Sequence, residues 1–250
     1  ETAASKLERV RCKMDESGAD VHLLSSLDDI AWLLNIRGND ILCCPLVLAY
    51  LIIYKDHVEL FADEEKFSDD MKREFAKNHV ALRPYTEIEN AVGKLSGRKK
   101  MLIDPERLSY DLYKLIPDET EMIEKENPEI IMKSVKNDIE TEHIRRAHLK
   151  DAAAHTKFIY WLKENIGKTE ITERSASARL EEFRKEQDGY LGPSFEPISA
   201  YYEHGAIVHY SASKESDARL EKGHFLLTDT GGHYKDGSTD ITRTVPLGEV

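Results

Sequence analysis

No stretch of this chain is apolar for long enough to cross a bilayer as a helix. The longest apolar run, residues 45–54, falls well short of the roughly 18 to 20 residues a spanning helix requires, and Lys55-Asp56 closes it. Cysteine is scarce: Cys12, Cys43 and Cys44 are an odd number with two adjacent, a poor framework for disulfides and too few for a thiolate zinc site. They are expected as small buried apolar residues, and a reducing cytoplasm suits them. Basic charge is also short, with 35 Lys and Arg against 47 Asp and Glu. The resulting net charge of −12 repels phosphate backbones and argues against nucleic acid as a partner. Low-complexity stretches and short-period repeats are missing. So are an initiating methionine and a basic-then-apolar leader: ETAASKLERV reads as a processed or excised start, with room for a preceding domain.

What is present is an ordinary globular composition, 40% hydrophobic and 33% charged over 250 residues, enough for two modest domains. Residues 1–133 read as a small α/β domain. Leu7, Val10 and Met14 recur at helical spacing until Gly18, residues 21–24 form a short buried strand, and a helix follows over 27–35. Apolar runs 47–53 and 58–62 flank the Lys55-Asp56 turn as a hairpin. Helical segments over 67–78 and 88–95 precede a strand at 101–103, which Asp104-Pro105 closes.

Residues 134–250 change register. Asn137 followed by Glu140 is a capping-box signature, and Ile144, Ala147, Ala154, Phe158 and Trp161 then line one helix face until Gly167. Thr172 caps a second helix with Ala176, Leu180 and Phe183 inward and Gly189 at its end. Strands are expected over 195–200, 206–210, 225–229 and 239–245.

The string LLTDTGGHYKDGSTDITRT, residues 226–244, holds the most chemistry. Asp229 leaves one strand and Asp240 enters the next, eleven residues on, across a Gly-rich connection. The pleat puts Phe225 and Leu227 on the face of Asp229, and Thr242 and Thr244 on the face of Asp240. Two such carboxylates repel, so either one keeps a proton or a cation neutralises both. Carboxylate pairs that bridge are what a two-metal site needs to hold ions roughly 3.5 to 4 Å apart. As bare spacing the pair is weak, since acidic residues populate turns anyway, as Asp236-Gly237 does.

The string resembles the first metal-binding hairpin of the creatinase and aminopeptidase family, whose catalytic domain has the pita-bread fold, and most closely its Xaa-Pro aminopeptidase (aminopeptidase P) branch. The segments SFEPISAYYEHGAIVHY (194–210), SLDDIAWLLNIRGND (26–40) and SVKNDIETEHIRRAH (134–148) extend the resemblance over essentially the whole chain. It implies a creatinase-like α/β domain followed by the first half of a pita-bread domain. It also implies release of the N-terminal residue from peptides with proline in second position, by a hydroxide bridging two divalent ions. Manganese is the expected metal, with cobalt or zinc as alternatives.

On this resemblance Asp229 and Asp240 are metal ligands, His209 contacts the substrate or tetrahedral intermediate, and Thr242 orients a carboxylate from behind the ligands. His204 and His233 are expected at the surface. Thr230 and His233 stand where Ser and Gln are common, and Glu203-His204 replaces an Asn-containing turn, which bears on substrate preference. The family centre also uses a His and two Glu from later strands, so the 250 residues are expected to be a fragment, inactive alone. A cytoplasmic homodimer acting on peptides, with no membrane partner, is the expected whole. A prolidase-type dipeptidase and a non-catalytic pita-bread binding module are the alternatives.

Overall fold

Helix formation begins where a cap and an apolar stripe coincide. In the computed structural model, which describes residues 1–95 and 99–250, the Thr2 hydroxyl accepts the Ser5 N–H at the start of helix α1 (Ala3–Ser17). That helix buries Leu7, Val10 and Met14, and Gly18 ends it at φ +75°, a conformation that costs glycine little.

The described residues fall into two units, Glu1–Ile41 with Pro45–Val135, and Leu42–Cys44 with Lys136–Val250. The first continues through β1 (Val21–Leu24), α2 (Leu27–Leu34), β2 (Ala49–Tyr54), β3 (Val58–Ala62), α3 (Asp69–Lys77), β4 (Val80–Arg83) and α4 (Ile88–Gly93). It ends with β5 (Lys100–Ile103), α5 (Tyr110–Tyr113), β6 (Glu121–Glu124) and α6 (Pro128–Ser134). Its strands form one mixed sheet in the order β4-β3-β2-β1-β5-β6. The expected hairpin is the antiparallel β2–β3 pair, while β1–β5, β3–β4 and β5–β6 are parallel. Period-two alternation divides the sheet between two cores. Leu24, Leu51 and Ile53 join the core that contains the α1 and α2 side chains, and Val21, Leu23 and Ile52 join the one that contains Ile88 and Val92 of α4. Burial on both faces makes β1 apolar, with His22 as its single polar residue.

The second unit opens with the long helix α7 (Asp138–Asn165), whose capping box pairs Asn137 with Glu140, and α8 (Glu173–Lys185), capped by Thr172. Strands β7 (Tyr190–Pro193), β8 (Ile198–Tyr201), β9 (Phe225–Thr230), β10 (Gly232–Tyr234) and β11 (Ile241–Pro246) follow. They make a three-stranded sheet ordered β11-β9-β8 and a two-stranded β10-β7 pair. Ala154, Phe158 and Leu162 of α7 and Ala176, Leu180 and Phe183 of α8 pack with Leu226 and Val245 of the sheet.

Three expectations are corrected. Residues 206–210 are not a strand: Tyr202–Ala206 form a 3₁₀ helix followed by a turn. Tyr202 and His209 adopt φ +50° and +57°, which no extended strand accommodates. The strand expected from residue 195 starts only at Ile198, after Pro197, which has no N–H to give a ladder. The cysteines are not all buried, for Cys12 and Cys44 are exposed and Cys43 is half-buried. Among the described residues no helix is long and apolar enough to cross a membrane.

Candidate metal and catalytic site

Strands β9 and β11 pair antiparallel with Thr242 opposite Asp229 and Ile241 opposite Thr230. Asp240, just before β11, therefore sits diagonally from Asp229 on the same face of the ladder, within reach of it. The alternation is visible in burial: Leu226, Thr228 and Thr230 are buried, while Phe225, Leu227 and Asp229 are exposed or half-buried. The Thr242 hydroxyl donates to Asp229 Oδ1 at 2.8 Å. The Asp240 carboxyl is raised above its ordinary value by desolvation first, then by the neighbouring Asp229 carboxylate.

The Gly-rich connection is itself structured. Gly232, His233 and Tyr234 pair with β7, opposite Pro193, Gly192 and Tyr190. A Cβ at Gly231 would meet the Thr239 carbonyl oxygen at 2.0 Å and Ser194 Oγ at 2.2 Å, so only glycine lets the chain cross itself there. This crossing places Asp240 beside Asp229. His233 is half-buried, not at the surface as expected, with Nδ1 2.6 Å from Ser238 Oγ.

Behind the carboxylates lie groups that the sequence reading did not single out. Asp151 of α7 is fully buried and meets Arg184 of α8, also buried. One turn further along α7, His155 lies 3.4 Å from Thr228 Oγ1, and burial, then the Arg184 charge, lower it to about 4, leaving it neutral at physiological pH. The only signal for these residues was a charge and a histidine inside an apolar stripe.

His209 lies on the segment between β8 and β9. It is exposed on the turn after the 3₁₀ helix and makes no hydrogen bond or ion pair with Asp229, Asp240 or Thr242. Its loop is fixed from below by Glu173, the first residue of α8 and 0% exposed. Glu173 accepts from Tyr201 N–H (2.7 Å), His204 Nδ1 (2.8 Å), Tyr210 Oη (2.8 Å) and Ala218 N–H (3.1 Å). His204, expected at the surface, is half-buried and stacks on Tyr210 with ring centroids 4.5 Å apart.

The donor chemistry of Asp229 and Asp240 fits divalent cations, because two adjacent hard oxygen ligands are neutralised by one such charge. Two carboxylates are only part of a coordination shell. Among the described residues no group of three or more His, Cys, Asp and Glu side chains converges as a metal site.

Residues 1–140 match the creatinase/prolidase N-terminal domain and residues 142–250 match metallopeptidase family M24. Xaa-Pro aminopeptidase 1 of Dictyostelium discoideum is 37% identical over 249 residues, covering 98% of this chain and 39% of that protein. Xaa-Pro aminopeptidase ApepP of Drosophila melanogaster is 36% identical, covering 99% and 41%. The chain thus spans about two fifths of the length of these curated relatives. Among solved structures, X-prolyl aminopeptidase from Caenorhabditis elegans, a cytosolic enzyme with a di-nuclear active site, superposes with a TM-score of 0.94 at 30% identity. That likeness covers 100% of this chain and 42% of the other. The Xaa-Pro dipeptidase from Bacillus anthracis, at TM-score 0.77 and 24% identity, shares the fold.

Proposed function

The chain belongs to the creatinase/prolidase family, and from this premise we propose that it is part of a metal-dependent aminopeptidase that releases the N-terminal residue from peptides with proline in second position. The observation that carries the reading is the facing pair Asp229 and Asp240, with Thr242 donating to Asp229. In this reading Asp229 and Asp240 hold two divalent ions, manganese first, with cobalt or zinc compatible with the same oxygen donors. When bound, such ions supply a nucleophile from water at neutral pH and polarise the scissile carbonyl.

The chain's own residues then have separable tasks. Asp229 and Asp240 fix the positive charge at one face of the hairpin. The Thr242 hydroxyl occupies one lone pair of Asp229 Oδ1, which leaves the remaining oxygen directions oriented for a cation. His209 donates a hydrogen bond to the oxyanion that develops on the substrate. Residues 1–133 form the creatinase-like domain and 134–250 the catalytic part, which with two carboxylates alone binds metal too weakly to act. A cytoplasmic homodimer completes the proposal; the cytosolic Caenorhabditis enzyme supports the compartment.

The test is Asp240→Ala in the full-length protein, assayed with manganese on an Arg-Pro-Pro type peptide. Metal-dependent release should vanish, and retained activity in metal-replete buffer refutes the ligand role. Cleavage confined to dipeptides would make the protein a prolidase instead.

A further inference from the structure

Both carboxylates of the hairpin are flanked by residues that one buried ion pair holds. Asp151 receives Arg184 Nε at 2.7 Å and Arg184 Nη2 at 3.3 Å. The same Nη2 donates to the Thr230 hydroxyl at 2.9 Å, and Thr230 directly follows Asp229. Just ahead of the other strand the Thr239 hydroxyl donates to Asp151 Oδ2 at 2.5 Å, and Thr239 directly precedes Asp240. The Thr239 oxygen in turn accepts the buried Gly232 N–H at 2.9 Å, tying in the crossing that brings the two strands together.

An ion pair at this depth is costly to desolvate, and a hydrophobic isostere would serve stability as well or better. Its two carboxylate oxygens and guanidinium are instead shared between α7, α8 and the residues next to each proposed ligand. Successive side chains of β9 point to opposite faces, so Thr230 is buried and Asp229 is not, and just before β11 Thr239 is buried while Asp240 is exposed; fixing Thr230 and Thr239 on the buried side therefore fixes the backbone that carries Asp229 and Asp240. We propose that Asp151 and Arg184 are positioning residues for the metal-binding carboxylates, acting through the Thr239 and Thr230 hydroxyls to set the spacing of Asp229 and Asp240. The inference rests on the reading of Asp229 and Asp240 as metal ligands.

The test is manganese(II) titration of the full-length protein, with its melting temperature measured metal-free and metal-saturated. Thr239→Val keeps the shape and removes the hydroxyl; Thr239→Ser keeps the hydroxyl. Partners placed behind metal ligands change affinity by roughly 10- to 100-fold. Thr239→Val should therefore weaken manganese binding about tenfold and shrink the metal-induced rise in melting temperature, with Thr239→Ser within about twofold of wild type. A purely structural role would lower the metal-free melting temperature and leave the dissociation constant of the folded protein unchanged. That outcome overturns the inference while Asp240→Ala still loses metal. Wild-type affinity in Asp240→Ala overturns the underlying reading as well. Should Thr239→Val fail to fold, Thr230→Val is read on the same terms.

Discussion

Replacing Glu173 by Gln swaps one carboxylate oxygen for an NH₂ group that cannot accept, in a site where four donors converge. The cost follows from which donors can retreat. If the amide nitrogen takes the Oε2 position, Tyr210 Oη can turn to the Ser216 carbonyl and hydroxyl, each 3.2 Å away, but the Ala218 N–H has no such choice. If it takes the Oε1 position, His204 can switch tautomer and accept from it, whereas the Tyr201 N–H is stranded. Either orientation leaves one backbone donor without its acceptor, at roughly 1–3 kcal/mol. That is a factor of about 5 to 150 in the local opening equilibrium.

Peptide-resolved amide hydrogen exchange over residues 198–220 reads this directly. The loop is poorly able to absorb the loss, since Tyr202 and His209 both sit at positive φ and need their surroundings to hold them there. Protection of the Tyr201 or Ala218 amide should fall by that factor, and turnover should fall with it because His209 loses its fixed support. Glu173→Ala strands both amides and should cost about twice as much. Wild-type exchange at both amides in Glu173→Gln would refute the argument that this carboxylate holds the loop.

His209→Ala should lower turnover by roughly 10²- to 10³-fold, the range for removing one oxyanion donor, with manganese content intact; metal content falling in step with rate would make His209 a ligand instead. In the first unit, burial opposes charge on His22, but Glu129 at 3.3 Å and the Leu102 carbonyl at 3.0 Å hold its pKa above the ordinary 6.5. A raised folded value means that the pair's stabilisation is fully present below about pH 6.5 and is lost as pH rises through the folded pKa. Urea midpoints should therefore fall over that upper range, and His22→Gln should flatten the slope; a wild-type midpoint constant above pH 6.5 would exclude the pair.

Elements with a period and a stop signal were legible in the sequence. Residues of α1, α7 and α8 carry both an apolar stripe and a cap, and the ends of α1 and α7 and the start of α8 fall within a residue or two of expectation, whereas α8 stops at Lys185, short of Gly189. The 206–210 segment was misread because Ile207 and Val208 look like strand residues, yet they are 53% and 82% exposed, and backbone conformation is decided there by the turn that ends at His209. Spacing alone left Asp229 and Asp240 as an ordinary acidic pair around a turn. What sets them side by side is the pairing of β10 with β7, some forty residues earlier in the chain, and the clearance that Gly231 provides. Neither is visible from the ten intervening residues.

The buried charges were the least legible part, for a reason that bears on the site. Asp151 interrupts the apolar face that Ala147, Ala154 and Phe158 define, so the sequence marks it as a charge at a buried position. Such a charge requires a partner, but its partner lies 33 residues away on another helix and its hydroxyl donor 88 residues away beyond a strand crossing. Glu173 was hidden differently: an acidic residue in the first turn of a helix is explained by the helix dipole alone, and nothing local shows that four donors will reach it. In both cases the polar group ties two segments distant in sequence to one helix, a task that apolar packing does not perform with fixed direction. Hydrogen bonds are directional and apolar contacts are not, so buried carboxylates stand behind the two segments whose geometry matters most, the hairpin of Asp229 and Asp240 and the loop of His209.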